Sequence, residues 1–333
     1  MTIRAFIPAI VFGFAFAPSG RSQDTEKLPA PGFHHLHLNS TNPDAAIDFY
    51  VKNFQSTSRS TWGGMPALKT GKVYVLFTKV NAPPALLPQT AIWHFGWHVT
   101  DERASLKRYQ GIGTKLLPLY TGEGDNFVYV NSDTWPGGGG PGGALGRTQS
   151  QIAEAKAQGT KPAGGAGFGY IGGPDGAMIE FQGDMPAERF NHVHMYQDDP
   201  LCAQLWYEKH LNAPASNRGT QPTESNCKVA RGTEPSWPAL EKPGMFRIPA
   251  QVGVNFDDVT ATWYMNPGNA PLAPTRGHLV DHFGISVANL DAWVAKLQRE
   301  NVKFLRKTYK LGDTRAIMIE GPSREAIELV EVK

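Results

Sequence analysis

The sequence predicts an α+β protein made of four repeated units, and three observations carry this. Four short apolar segments each open on a histidine: His35-Leu36-His37-Leu38, His94-Phe95-Gly96-Trp97-His98, His192-Val193-His194-Met195 and His282-Phe283-Gly284-Ile285. A tyrosine follows fifteen residues after His35, His94 and His192 (Tyr50, Tyr109, Tyr207), and a proline eight residues after His35 and His192 (Pro43, Pro200). Units two and four also end alike, Gly173-Pro174 running to Ile179-Glu180 and Gly321-Pro322 to Ile327-Glu328 at one spacing. Self-similarity at fixed intervals marks a repeat architecture.

Alternating and 3.6-residue apolar patterns place the elements in order. Unit one reads as a strand over Phe33–Asn39, a helix over Pro43–Asn53 and further strands including Lys72–Lys79. Unit two opens near Ala91 with a strand to Val99 and a helix from Asp101 to Gln110. Its strands follow around Lys115–Leu119, Asn126–Val130 and Phe168–Gln182. Unit three opens at Phe190, with a helix over Pro200–Leu211. Unit four opens at Leu279, with a helix over Leu290–Glu300 and strands at Lys303–Lys307, Thr314–Glu320 and Glu325–Val332.

Units one and three share the proline and an aromatic-Tyr pair (Phe49-Tyr50, Trp206-Tyr207), while units two and four share His-Phe-Gly and the Ile-Glu ending. A duplicated two-unit half explains this, with residues 33–184 and 190–333 expected as two domains. Two insertions interrupt the repeat: a glycine-rich one over 131–166 and a Pro/Gly/Ser/Thr-rich one over 213–249. They read as surface excursions, or as covers over a cleft.

The first residues are of a different kind. Arg4 precedes an apolar run from Ala5 to Ala17, then a small and polar stretch. This is the pattern of a cleaved signal peptide over 1–23, too short for a membrane span, with 24–32 as a linker. The mature protein is then expected to be periplasmic or extracellular, with no stable membrane insertion. Cys202 and Cys227 are the only cysteines. They could pair in an oxidising compartment, but one falls in a predicted helix and the other in a polar loop. The net charge of +2, with no basic block among aromatics, gives no support to nucleic-acid binding.

Strand side chains alternate between faces, so His35, His37 and Asn39 share one, as do His192 and His194, and His94, Gly96 and His98. Two histidines from adjacent opening strands and one glutamate from a closing strand would form a 2-His-1-carboxylate site with open positions, as in non-haem Fe(II) oxygenases. Within consecutive units, the sets are His35, His94 and Glu180, then His192, His282 and Glu328. Glu320, Glu325 and Glu331 are rival carboxylates. His37, His98 and His194 read as supporting hydrogen-bond partners or as general acid/base groups.

The segments Phe33-His34-His35-Leu36-His37-Leu38, Asn42-Pro43-Asp44-Ala45-Ala46-Ile47-Asp48-Phe49-Tyr50 and Gly173-Pro174-Asp175-Gly176-Ala177-Met178-Ile179-Glu180-Phe181 resemble the vicinal oxygen chelate superfamily. That superfamily includes glyoxalase I, bleomycin- and fosfomycin-resistance proteins and extradiol dioxygenases. The resemblance implies four βαβββ modules paired into two cupped mixed sheets, with a divalent metal in the cup. It implies the same ligand positions: His35, His94, Glu180, His192, His282 and Glu328. Tyr170 resembles the tyrosine of the extradiol signature, although the histidine that precedes it there is missing from 163–169. The turn before the last strand of unit four lacks the family's Asp-Gly. Fe(II) or Mn(II) is the implied metal, with Zn or Ni as alternatives. The expected function is dioxygenase-like chemistry on a small molecule with adjacent oxygens. A non-redox lyase or isomerase, or a small-molecule binding protein without catalysis, are the competing readings.

Overall fold

The computed structural model describes residues 28–117, 168–183, 185–216, 221–228, 252–266 and 270–332, with short pieces at 153–154 and 157–159. The expected signal peptide, most of the 131–166 insertion, the strand at 126–130 and much of the 213–249 insertion lie outside these residues.

Unit one comprises β1 (Gly32–Ser40), α1 (Pro43–Asn53), β2 (Thr57–Trp62), β3 (Met65–Thr70) and β4 (Val73–Lys79). Unit two has β5 (Ile92–His98), α2 (Glu102–Gly111), β6 (Leu116–Leu117), β7 (Phe168–Gly172) and β8 (Met178–Gln182). Unit three has β9 (Arg189–Gln197), α3 (Pro200–Leu211), β10 (Val252–Phe256) and β11 (Val259–Met265). Unit four has β12 (Val280–Val287), α4 (Leu290–Arg299), β13 (Phe304–Leu311), β14 (Thr314–Glu320) and β15 (Ala326–Glu331). The expected single strand over 168–182 is split by a turn at Pro174–Gly176. Among the described residues no helix is long and apolar enough to cross a membrane.

Local chemistry explains the helices. Asn42, Asp101 and Asn289 each accept a backbone N–H from the residue three positions on, capping α1, α2 and α4. Proline opens α1 and α3, where its missing N–H costs nothing.

The strands form two sheets. The eight-stranded sheet has the order β13-β14-β15-β12-β1-β4-β3-β2, and the seven-stranded sheet β10-β11-β9-β5-β8-β7-β6. Unit one therefore pairs with unit four, and unit two with unit three. This corrects the expected pairing of consecutive units: neither 33–184 nor 190–333 closes a cup by itself. Connection length supplies the physical reason. Six residues (183–188) join units two and three, and the chain stays in one sheet. Longer connections, 80–91 and 266–279, carry it from one sheet to the other. These two connections also meet, through bridges Ala85–His278 and Thr90–Ala273.

Consecutive units pack back to back instead. The ring of Trp97 on β5 stacks on Phe54, 4.2 Å between centroids, and lies 5.7 Å from Tyr50 of α1. Phe33 of β1 meets Phe190 of β9 at 5.6 Å. Buried apolar residues from both sheets thus form one continuous core. Two polar clamps reinforce it. Asp175 receives Ser40 Oγ (2.5 Å) and both Thr41 donors, N–H and hydroxyl (3.2 and 2.7 Å). Glu325, fully buried, receives Tyr207 Oη (2.7 Å), Gln197 Nε2 (3.0 Å) and the Ser323 N–H (2.8 Å). Each clamp ties the last turn of one unit to the unit before it in sequence.

Candidate metal centres

At the middle of each sheet two opening strands run antiparallel, a His-x-His strand against a His-Phe-Gly strand. In the eight-stranded sheet His35 lies opposite Gly284, and His37 opposite His282. In the seven-stranded sheet His192 lies opposite Gly96, and His194 opposite His94. The closing strands run parallel alongside, placing Glu328 beside Gly284 and Glu180 beside Gly96. The registers match although unit four lacks Asp-Gly: Arg324 adopts the positive φ (68°) that Gly176 (87°) provides in unit two.

In the seven-stranded cup, His94 Nε2 lies 2.8 Å from Glu180 Oε2, His194 Nδ1 3.5 Å and His192 Nε2 3.8 Å. One ligand atom from each of these four residues lies within 4.8 Å of the others. His192 Nδ1 is 2.8 Å from Asn191 Oδ1. Tyr170, across the ladder from Glu180, hydrogen-bonds that carboxylate and sets its ring 5.1 Å from the His94 ring. Burial, then the nearby Glu180 charge, pushes the Tyr170 phenol up, so it stays a donor. Above the cluster is a cavity of about 450 Å³, walled in part by Trp93, Phe168, Tyr170, Tyr264, Thr262 and His98. His98 stands 6.3 Å, ring to ring, from His192 and outside the ligand cluster.

In the eight-stranded cup, ligand atoms of His35, His37 and His282 lie within 4.8 Å of one another. Glu328 offers its two oxygens to the same place, Oε2 at 3.4 Å from His35 Nε2 and Oε1 at 3.8 Å from His282 Nε2. The Tyr309 hydroxyl donates to Glu328 Oε1. His35 Nδ1 is 2.8 Å from His34 Nδ1, His282 Nδ1 is 2.5 Å from Asp281 Oδ1, and His37 Nε2 is 2.7 Å from Thr78 Oγ1.

These arrangements fit a cation. His35 Nε2, His282 Nε2, His192 Nε2 and His194 Nδ1 are buried and have no hydrogen-bond partner, yet all point toward a carboxylate. Leaving such atoms unsatisfied costs about 1–3 kcal/mol each, which a shared ion removes. Burial lowers His94, His194 and His37 to about 3, and holds His35 and His192 well below the ordinary imidazole range. These rings are neutral at neutral pH, with lone pairs free for a metal. Nitrogen and carboxylate donors suit Fe, Mn, Zn or Ni.

The six expected ligands are all in these clusters, but regrouped. The set His35, His94 and Glu180 does not converge, because His35 is in one sheet and His94 and Glu180 are in the other; the set His192, His282 and Glu328 is divided in the same way. The clusters are His94, His192 and Glu180, and His35, His282 and Glu328. His37 and His194, expected in supporting roles, lie among the ligand atoms. Glu320, Glu325 and Glu331 are absent from both clusters: Glu325 is a core clamp, while Glu320 and Glu331 pair with Lys303 and Arg315. Asp281, Asn191 and His34, each immediately before a candidate ligand histidine, were missed; their adjacency was the available signal.

Residues 189–329 match the Glyoxalase/Bleomycin resistance protein/Dioxygenase superfamily. Glyoxalase I from Zea mays superposes with a TM-score of 0.57 at 14% identity, over 91% of this chain and 92% of that one. A proposed dioxygenase from Bacillus subtilis superposes with a TM-score of 0.56 at 9% identity, over 92% and 86%. No curated protein sequence matches. The family match thus covers residues 189–329, and over most of its length the chain shares the fold of these two structures. The matched stretch holds units three and four, one from each sheet.

Proposed function

We propose that this chain is a divalent-metal-dependent enzyme acting at the seven-stranded cup, with His94, His192 and Glu180 as ligands, on a small molecule bound through two adjacent oxygens. One observation carries the reading: three imidazole nitrogens converge on Glu180 at the floor of a 450 Å³ cavity with aromatic walls. A bound metal would serve as Lewis acid to the substrate oxygens and, as Fe(II) or Mn(II), would add the redox chemistry of a dioxygenase. Trp93, Phe168 and Tyr264 offer flat apolar faces to a ring and keep water from it. Tyr170 is a donor at the Glu180 side. His98, lowered to about 4 by burial and then by Arg189, is a neutral imidazole on the cavity wall that can accept a substrate hydroxyl proton.

The test is oxygen consumption and ring-cleavage absorbance with an ortho-diphenol and the Fe(II)-loaded protein. Uptake that is lost in Glu180→Ala supports the reading. Absence of uptake with an intact metal site contradicts the dioxygenase part. One feature favours a non-redox lyase or isomerase: His194 gives the cluster a fourth donor, leaving fewer open positions. Turnover of a hydroxy-ketone or hemithioacetal without oxygen would support that alternative.

The leader-like N-terminus and the Cys202–Cys227 disulfide, with sulfurs 1.96 Å apart, support export to an oxidising compartment. Mass spectrometry of the exported protein tests this: a start between residues 18 and 24 agrees with it, and an intact Met1 does not.

A further inference from the structure

We infer that the two cups hold their ions unequally: the eight-stranded cup is the retentive site, and Asp281 is the positioning residue that makes it so. The inference rests on reading both clusters as metal centres.

To offer Nε2 to an ion, an imidazole must carry its proton on Nδ1, and in a buried site that proton needs an acceptor. His282 has one in Asp281 Oδ1, 2.5 Å away. The Asp281 carboxylate is itself held in place. Its Oδ2 accepts from the Gly277 N–H at 2.8 Å and faces Asn39 Nδ2 at 3.5 Å, and Arg276 Nη1 is 2.7 Å from Oδ1. Arg276 also comes within 3.4 Å of His282 Nδ1, so the carboxylate serves both groups. Asp281 is buried and, paired with Arg276, sets a carboxylate directly behind the His282 ring, whose Nε2 faces Glu328.

In the seven-stranded cup the corresponding residue is Trp93, and the corresponding nitrogen, His94 Nδ1, is buried without a hydrogen-bond partner. The Trp93 ring meets the His94 ring edge-on at 4.2 Å, a packing contact that supplies no acceptor to Nδ1. In the metal-free protein the favoured proton position is therefore Nε2, 2.8 Å from Glu180 Oε2. Binding an ion there means moving that proton to a nitrogen with no acceptor, which weakens binding. The equivalent pair His35 and His192 does not offset the difference, since His35 Nδ1 has His34 and His192 Nδ1 has Asn191.

Access points the same way. The seven-stranded cup opens into the cavity described above. Over the eight-stranded cup, the Trp62 ring lies 4.4 Å from His34 and 6.2 Å from His35. The β2–β3 and β13–β14 hairpins meet at their turns, where a Cβ on Gly312 would be 2.6 Å from Gly63 Cα. The two edges of that sheet therefore touch across its rim. A retained ion in this cup and an exchangeable one in the substrate cup is the consequence.

The test is titration of the metal-free full protein with Mn(II), following free Mn(II) by electron paramagnetic resonance. Two classes of site are expected, at least about tenfold apart in affinity. Asp281→Asn keeps an oxygen acceptor but removes the charge, and should weaken only the tight class, about tenfold; Asp281→Ala should weaken it about 100-fold. If the alanine variant does not fold, the asparagine variant carries the test. His35→Ala should abolish the tight class and leave the weak one. A single class in the wild-type protein, an Asp281 effect on both classes or on neither, or loss of the weak class in His35→Ala would overturn the inference. Absence of any Mn(II), Fe(II) or Zn(II) binding would instead overturn the metal-centre reading beneath it.

Discussion

Gly96 lies opposite His192 in the central pair of the seven-stranded sheet, and a Cβ there would sit 2.4 Å from His192 Nε2 and 2.6 Å from the Glu180 carbonyl oxygen. The bare backbone of Gly96 is what lets the imidazole lie over the neighbouring strand. Gly284 does the same for His35, whose Cε1 would be 2.1 Å from an added Cβ. Gly96→Ala should therefore disturb one cup and Gly284→Ala the other, each at about 1–3 kcal/mol in stability. Metal content and Tm measured together check this: each variant should lose the ion of its own cup and keep the other.

The buried imidazoles make stability depend on pH in one direction. His94, His194 and His37 are lowered to about 3 and His34 to about 4, by burial. In the unfolded chain these groups take up protons near pH 6.5, while the folded state does not. The unfolded state then binds more protons, so stability is fully present above about pH 6.5 and falls as the pH drops toward 4. Urea midpoints of the metal-free protein should be clearly higher at pH 7.5 than at pH 5; equal midpoints would contradict the buried, neutral state of these rings.

Glu325 is a clamp and not a ligand, so its replacement should affect folding before metal binding. Glu325→Ala strands the Tyr207 hydroxyl, the Gln197 amide and the Ser323 N–H in the core. The expected loss is about 2–4 kcal/mol. Denaturant unfolding measures it, and the surviving folded fraction should keep its full metal content.

Tyr170→Phe removes the phenol that hydrogen-bonds Glu180 while leaving all four clustered donors in place. Metal content should be unchanged, and turnover of an accepted substrate should fall by about 10²-fold if the phenol donates in the reaction. Lost metal instead would make Tyr170 a support of the ligand set.

The unit plan was legible in the sequence because it rests on local signals. Pro43 and Pro200 mark the starts of α1 and α3, alternation marks the strands, and the Ile-Glu endings mark the closing strands. All six candidate ligand positions follow from those signals. Their grouping does not: each cup needs one His-x-His unit and one His-Phe-Gly unit, and unit one can satisfy that with either unit two or unit four. Only the lengths of the connections distinguish the two solutions, and the short 183–188 link holds units two and three in one sheet. For Asp281 the sequence offered only its adjacency to His282; its hold on His282 Nδ1 shows once Gly277 and Arg276 are seen around it.

The central claim is that each metal centre takes its residues from both halves of the chain. Metal content of two double variants tests it most directly. His35→Ala with Glu328→Ala damages a single cup and should leave about one ion per chain, as His35→Ala alone does. His35→Ala with Glu180→Ala damages both cups and should leave none. The opposite result, one ion kept when His35 and Glu180 are removed together and none when His35 and Glu328 are, would return the ligands to consecutive units and contradict the account.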